Sequence, residues 1–297
     1  MEKYCIISDS SCDFTPEFAR EQGVTVVPFY VSFDGVNYKK EGQEFGIRDF
    51  YQEMVDRKGE YPNTSLPSVQ DYADAFLPFV QEGTGVVCIC ISSKFSGSVQ
   101  SAMNAKEMIL EEYPQARIAV IDAQVNTVLQ GLLVQEAAKL CREQVPFDAC
   151  VERIEAIRES GRIFFTVGSI DYLQHGGRIG KLAGTAASVL GIKPLITLKE
   201  GEIFSSGVAR GRKKSLEKII EMTKAYMKER SVTKEAYRLC MGFGYDCEEA
   251  RELRSVLVRE LADYGLTEEE IPLVQIGAAI AVHTGPYAVG IGIIKRA

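Results

Sequence analysis

The stretch Gly85–Ile109, GVVCICISSKFSGSVQSAMNAKEMI, joins an apolar run to a hydroxyl-rich loop and then to a helical pattern. The run predicts a strand buried on both faces, because its first residues are apolar without alternation. The serines that follow precede a helix, whose first N–H groups lack intrahelical partners and favour an anion. This stretch alone leaves four interpretations open: a catalytic nucleophile, a phosphate-binding loop, a binding site for another anion, or a simple helix cap.

The pattern of a buried strand followed by a helix recurs through the N-terminal half, which predicts a parallel sheet covered on both faces. After Arg162 the order changes to α+β, with a hairpin predicted at Glu200-Gly201 and a mixture of helix and loop over 170–192. We therefore expect an α/β protein of two α/β domains, 1–161 and 162–297, with a ligand between them. The first has a largely parallel sheet flanked by helices. The second is α+β with a mixed sheet, and its last strands are left free to return toward the first domain.

Composition excludes several classes of protein. The net charge of -7 argues against broad nucleic-acid binding, which requires a dense basic surface. No apolar run is long enough to span a bilayer, and the first residues, MEKYCIISDSS, lack the order of a secretory signal, so we expect a cytoplasmic protein. In that compartment the eight cysteines are expected to be reduced core residues, and two histidines without a CxxC motif do not predict a metal site.

Three polar stretches follow predicted strands and precede helices: Ser8–Pro16, Asn63–Ser68 and Ser92–Ser98. In open α/β sheets, ligands bind beyond the carboxyl ends of the strands. Each stretch alone is equally typical of helix capping, because Ser, Thr and Asp cap helices generally. Their shared position is what favours a pocket.

Familiar catalytic motifs do not match. The G-x-S-x-G nucleophile elbow does not occur around Ser96, and only His283 could act as its base. In HGGRIGKL (175–182) the glycines stand too close to Gly-Lys for a Walker loop, and Leu follows where Ser or Thr is required. Hydrolase chemistry and a phosphate cradle of known type are therefore not predicted.

Two isolated residues and one basic run are further candidates. Arg178 could hold a carboxylate or phosphate with its planar guanidinium, and a surface loop arginine is the alternative. His283, before a Gly-Pro turn, could donate to an anion, and a core histidine is the alternative. The run ARGRKKS, with Arg210 and Arg212, opens a predicted helix where basic residues oppose the helix dipole, although such runs are commonly solvated.

Taken in order along the chain, the motifs SDSSCDFTPEF, TSLPS, ISSKFSGSVQSA, IDA, LQHGGRIGK, KPLITLKEGEI, RGRKK and HTGP resemble the DegV family of fatty-acid-binding proteins. The resemblance covers nearly the whole chain. It implies two α/β domains that enclose one long-chain fatty acid, with its tail buried between them.

The resemblance also implies which residues bind the fatty-acid carboxylate. By motif position, the two hydroxyl ligands correspond to Thr64 and Ser96, with Ser65 as a close rival to Thr64. The family's histidine before Gly-Pro corresponds to His283 and its GGR arginine to Arg178, both near the head group. No cofactor is implied beyond the bound fatty acid.

Some family members are the acyl-carrying subunit of a bacterial fatty acid kinase. The resemblance therefore implies a non-catalytic protein that presents the carboxylate to a separate ATP-binding kinase subunit, for acyl-phosphate formation and phospholipid synthesis. The RGRKK run resembles the region proposed to meet that kinase, which makes Arg210 and Arg212 the partner-binding candidates. Stable membrane insertion is not expected, and transient membrane contact is left open.

Two positions depart from the family pattern. Leu66 stands where Gln is common, which bears on the pocket rim, and Tyr287 stands where Gly is common, which bears on the backbone beside His283. Two other functions stay open at this point. One is an enzyme acting on a small phosphorylated or carboxylated metabolite in the same cleft, and the other is a lipid sensor without a kinase.

Overall fold

The computed structural model describes residues 3–182 and 191–297, so part of the predicted mixture of helix and loop lies outside the described residues. The first half contains a parallel sheet in the order β2-β1-β6-β7 and a small antiparallel sheet in the order β4-β3-β5. Its strands are β1 (Tyr4–Asp9), β2 (Val24–Val27), β3 (Tyr30–Ser32), β4 (Lys39–Lys40), β5 (Asn63–Ser65), β6 (Gly85–Cys90) and β7 (Ile118–Asp122). Its helices are α1 (Pro16–Gln22), α2 (Ile47–Asp56), α3 (Val69–Gln81), α4 (Ser98–Glu112), α5 (Thr127–Arg142) and α6 (Phe147–Arg158).

The second half contains a mixed sheet in the order β10-β9-β8-β13-β11-β12, in which only β11 and β12 pair in parallel. Its strands are β8 (Arg162–Thr166), β9 (Ile192–Lys199), β10 (Glu202–Arg210), β11 (Tyr237–Phe243), β12 (Leu273–Gln275) and β13 (Val289–Lys295). Its helices are α7 (Asp171–His175), α8 (Arg212–Glu229), α9 (Cys247–Glu260) and α10 (Ala278–Thr284).

This architecture confirms the predicted fold of two α/β domains, one with a parallel and one with a mixed sheet. The β9–β10 hairpin turns at Glu200 and Gly201, whose φ angles of 54° and 76° suit a two-residue hairpin turn. The last strand, β13, lies inside the mixed sheet between β8 and β11 and does not join the parallel sheet. The domain boundary at 161/162 stays a prediction.

Helix α5 lies between the two sheets and is buried around most of its circumference. Twelve of its 16 residues are buried, which is typical of a helix enclosed in a core rather than one with a solvent face. Two glycines permit this close packing. A Cβ on Gly131 would lie 2.6 Å from the Cys12 carbonyl oxygen, and one on Gly292 of β13 would lie 3.3 Å from Leu129. The helix therefore joins the two domains through one continuous apolar core.

The carboxylate of Asp9, at the end of β1, organises the edge of the parallel sheet. It is fully buried and accepts hydrogen bonds from the Ile91 N–H (2.9 Å), the Ser98 hydroxyl (2.7 Å) and the Gln130 amide (2.8 Å), as well as from the Ser11 hydroxyl. A buried carboxylate is tolerated only when its oxygens are satisfied in this way. The network thereby fixes β1, the start of α4 and α5 relative to one another.

Two further buried carboxylates of the first domain hold the start of α10 in the second. Asp13 accepts a hydrogen bond from the Gly277 N–H (2.8 Å), and Glu41 accepts one from the Ala279 N–H (3.2 Å). A Cβ on Gly277 would lie 2.6 Å from Glu41 Oε1, so glycine is required there for space. Burial raises the pKa of Glu41 to about 7 and raises the pKa of Asp13 well above its usual range.

We predict that Asp9→Ala lowers the free energy of unfolding by about 3 kcal/mol, because it leaves several buried hydrogen-bond donors without an acceptor. Urea denaturation measures the change. Asp148→Ala is the control, since that side chain is 85% exposed, and its effect should stay within about 0.5 kcal/mol. Equal effects of the two substitutions would contradict the structural role of Asp9.

We predict that the contribution of Glu41 to stability falls as the pH rises from about 5 to about 8, whereas the lowered pKa of His283 makes stability rise with pH below about 6.5. The raised pKa of Glu41 means that the folded protein holds a proton which the unfolded chain releases near its ordinary pKa of about 4.5, so this contribution is lost as the pH rises through about 7. Glu41→Gln should therefore make the urea midpoint fall less, or rise more, between pH 5 and pH 8 than it does in the wild type. Glu136→Gln removes a buried carboxylate that is paired with Arg238. This control should leave the pH dependence of the wild-type urea midpoint unchanged.

Candidate functional site

A cavity of about 240 Å³ lies in the seam between the two domains. Its walls are predominantly apolar and come from both of them. The first domain supplies Phe29, Ile91, Phe95 and Val128, and the second supplies Ile163, Phe165, Leu198, Ile203, Ile276, Ile280 and Val289. These apolar residues belong to the core or pack against it, so the cavity is an unfilled part of that core.

The cavity is also lined by a group of polar side chains. These side chains come from distant parts of the sequence and are Thr64, Ser65, Ser96, Arg178 and His283. The structure thus brings together all five residues that the sequence selects for the ligand. A cavity with an apolar wall and a few convergent polar groups is the usual form of a small-molecule site.

The serines of the Ser92–Ser98 loop divide into three with structural partners and one facing the cavity. Ser92 donates to the Gly201 carbonyl oxygen (2.8 Å), Ser93 donates to Asp122 (2.5 Å) and Ser98 donates to Asp9 (2.7 Å). Ser96 lines the cavity and accepts a hydrogen bond from the Ser98 N–H (3.2 Å). Within the described residues its own proton has no acceptor, so it can be donated to a ligand.

Thr64, in β5, faces His283, in the last turn of α10. Thr64 Oγ1 and His283 Nε2 are 3.2 Å apart, while His283 Nδ1 is buried against Gly176 without a hydrogen-bond partner in the described residues. We assign the imidazole proton to Nε2, because an unshared N–H at the buried Nδ1 would be costly. His283 then donates to Thr64, whose hydroxyl proton is left for a ligand.

Two features keep this histidine neutral and in place. Burial, with a smaller contribution from the nearby positive charge of Arg178, lowers the pKa of His283 to about 4. A Cβ on Gly176 would lie only 2.1 Å from His283 Nδ1, so the first glycine of the GGR motif makes room for the ring. Near pH 7, His283 therefore contributes a hydrogen bond and not a charge.

Arg178 carries the full positive charge of this group. Its Nε donates to the Phe95 carbonyl oxygen (3.1 Å) and its Nη1 to the Gly176 carbonyl oxygen (2.8 Å). These bonds connect the α7 end of the second domain to the Ser92–Ser98 loop of the first. The side chain is exposed, so the polar group of the cavity extends to the protein surface.

The structure places the two arginines of the basic run outside the cavity. Arg210 is exposed at the end of β10, whereas Arg212 forms a two-pronged ion pair with Glu249, with its Nε 2.9 Å from Glu249 Oε1. Arg212 thus connects the first turns of α8 and α9, and its guanidinium is largely committed to that contact. Sequence reasoning treated the two as equivalent because the pairing partner lies 37 residues away.

The Ser8–Pro16 stretch, expected at the pocket, does not line this cavity. Several of its side chains instead belong to the buried carboxylate networks, for example the Ser10 hydroxyl that donates to Glu41 (2.5 Å). Three polar lining residues were missed instead: Asn126, Thr127 and Thr284. The first two follow β7 at the start of α5, which makes them a fourth polar stretch after a strand.

The two departures from the family pattern have different consequences. Leu66 lines the cavity and is 37% exposed, so it lies at the rim. Tyr287 does not line the cavity and is 44% exposed. Its φ angle is not positive, so a non-glycine residue fits the turn after His283 without backbone strain.

Among the residues that the structure describes, no group of three or more His, Cys, Asp and Glu side chains could hold a metal ion. Over the same residues, no helix has the length and apolar character needed to cross a membrane.

Known proteins are similar to this chain over nearly its whole length. The family model described as "Uncharacterised protein, DegV family" matches residues 3–296. A DegV domain-containing protein of Clostridium perfringens is 31% identical over 291 residues, which is 98% of each chain.

Two solved structures extend the similarity to the fold. The crystal structure of a stearic acid-binding protein from Eubacterium ventriosum is 44% identical, with a TM-score of 0.92 over 99% of this chain and 98% of that one. A fatty-acid-binding DegV family protein from Thermus thermophilus is 30% identical, with a TM-score of 0.85 over 99% of each chain. On the strength of the family match, which spans nearly its whole length, this chain belongs to the DegV family.

Proposed function

We propose that this protein binds one long-chain fatty acid in the seam cavity, with the carboxylate among Thr64, Ser65, Ser96, Arg178 and His283. The observation that carries the proposal is the composition of one cavity, which has an extended apolar wall and a cluster of hydrogen-bond donors. Fatty acid binding by the similar Eubacterium ventriosum and Thermus thermophilus proteins supports it.

The polar cluster suits a single carboxylate. The hydroxyls of Thr64 and Ser96 each have a proton to donate, and His283 orients the first of them. Hydrogen bonds to an ionised acceptor are stronger than neutral ones, so two or three such donors hold the charge without a buried cation. Arg178 adds long-range attraction from the exposed side.

The apolar wall suits an alkyl chain better than a small polar metabolite. Each methylene moved from water into such a wall contributes roughly 0.8 kcal/mol, so the tail dominates the affinity. A phosphorylated metabolite would leave this wall unfilled and would find one arginine in the lining. We therefore favour a carrier over an enzyme that acts in the same cleft.

We further propose that the carrier presents its carboxylate to a separate ATP-dependent kinase subunit, as the non-catalytic partner in acyl-phosphate formation. Support comes from the exposure of Ser65 and Arg178, which brings the carboxylate end within reach of another protein. Arg210 is the better candidate for partner contact, because Arg212 is paired with Glu249. Transient membrane contact during loading is compatible with this role.

We predict that Thr64→Ala and Ser96→Ala each weaken fatty acid binding about tenfold, because each removes a charge-assisted hydrogen bond of about 1.5 kcal/mol. Displacement of a fluorescent fatty acid measures the dissociation constant, and circular dichroism verifies the fold.

Ser93→Ala is the matched control for this pair, since Ser93 lies in the same loop but donates to Asp122. Its dissociation constant should equal that of the wild type. Unchanged binding in both Thr64→Ala and Ser96→Ala would show that the carboxylate lies elsewhere.

We predict that Arg210→Ala leaves fatty acid binding unchanged but slows acyl-phosphate formation when the protein is mixed with a bacterial fatty acid kinase subunit, ATP and fatty acid. Arg212→Ala should instead lower the melting temperature, because it breaks the ion pair with Glu249. A loss of lipid binding in Arg210→Ala that matches its loss of phosphorylation would refute the assigned role.

A further inference from the structure

Leu66 occupies an unusual position for a leucine. It follows Ser65 in the loop between β5 and α3, lines the cavity and is 37% exposed to solvent. One part of its side chain therefore faces the cavity and another part faces water. Its cavity neighbours include the hydroxyl residues Thr64, Ser65 and Ser96, so an apolar side chain stands at the polar end of the site.

The side chain of Leu66 reaches across to the opposite loop. A Cβ on Gly97, at the start of α4, would lie 3.4 Å from Leu66 Cδ2. The φ angle of Gly97 is -75°, which any residue adopts, so the backbone does not require glycine there. Leu66 thus spans from the end of β5, the strand that carries Thr64, to the loop that carries Ser96.

The loop around Leu66 is held on both sides. Ser65 pairs with Tyr30 in the small sheet, and Pro67 after it is buried. Ser68 then begins α3 with a capping box to Asp71, which also accepts a hydrogen bond from the Tyr30 hydroxyl (2.8 Å). The backbone on both sides of Leu66 is therefore held in place at the rim of the cavity.

We propose that the Leu66 side chain blocks the exit of the bound fatty acid and thereby sets the rate at which the fatty acid exchanges with solvent. This inference rests on the proposed function. A chain that leaves past the polar end has to displace the leucine side chain from its contact near Gly97. While in place, Leu66 limits the access of water to the carboxylate, and the hydrogen bonds from Thr64 and Ser96 are stronger when water is kept away.

The test is the dissociation rate of a fluorescent long-chain fatty acid, followed by stopped flow after mixing with excess unlabelled fatty acid. Leu66→Ala should release the probe about five to ten times faster than the wild type, because most affinity changes in related complexes lie in the off-rate. Leu66→Met, which restores the volume, should return the rate to within about twofold of the wild type. The melting temperature should change little, since the side chain is partly exposed.

Met108→Ala is the matched control, because Met108 is 43% exposed on α4 and does not line the cavity. Its release rate should equal that of the wild type. Equal release rates in Leu66→Ala and Met108→Ala would contradict the proposed role of Leu66 and would leave the proposed function unaffected. A wild-type protein that retains no fatty acid would overturn both.

Discussion

Helix α5 is the element on which the rest of the structure depends, because it is buried between two sheets of different topology. Its apolar surface joins the parallel sheet of the first domain to the mixed sheet of the second, and Gly131 and Gly292 allow the close approach on either side. Two domains joined in this way share one core. The seam cavity is the part of that shared core which neither α5 nor the sheets fill, and the start of α5 lines it through Asn126, Thr127 and Val128.

The buried carboxylates follow from the same arrangement. Asp9 fixes α4 and α5 on the parallel sheet, and Asp13 and Glu41 fix the start of α10, which carries His283 at its other end. The first domain positions Thr64 in β5 and Ser96 in the loop before α4, whereas Arg178 and His283 come from the second domain. The polar end of the cavity is therefore complete only when the two domains are packed together, and the carboxyl groups that hold them there lie outside the cavity.

Much of this could be predicted from the sequence because strand-then-helix patterns and hydroxyl-rich loops are local signals. Such signals predict the fold class and the Glu200-Gly201 hairpin. Together with the family resemblance, they also predict that one site contains Thr64, Ser65, Ser96, Arg178 and His283. The cavity wall could not be predicted, because residues such as Ile163 and Leu198 are indistinguishable from ordinary core until the packing is known. Ser92, Ser93 and Ser98 look the same as Ser96 in sequence, and only distant partners separate them. The same holds for Arg212, whose partner Glu249 lies on another helix.

The proposed function requires one acidic lipid in the seam, with its charge at the Thr64–Ser96 end and its tail against the apolar wall. The most direct test is mass spectrometry of the organic extract from the purified, folded protein, quantified against protein concentration. We expect a long-chain fatty acid at close to one molecule per chain. A small polar metabolite in its place, or a protein that neither carries a fatty acid nor takes one up when it is supplied, would contradict it.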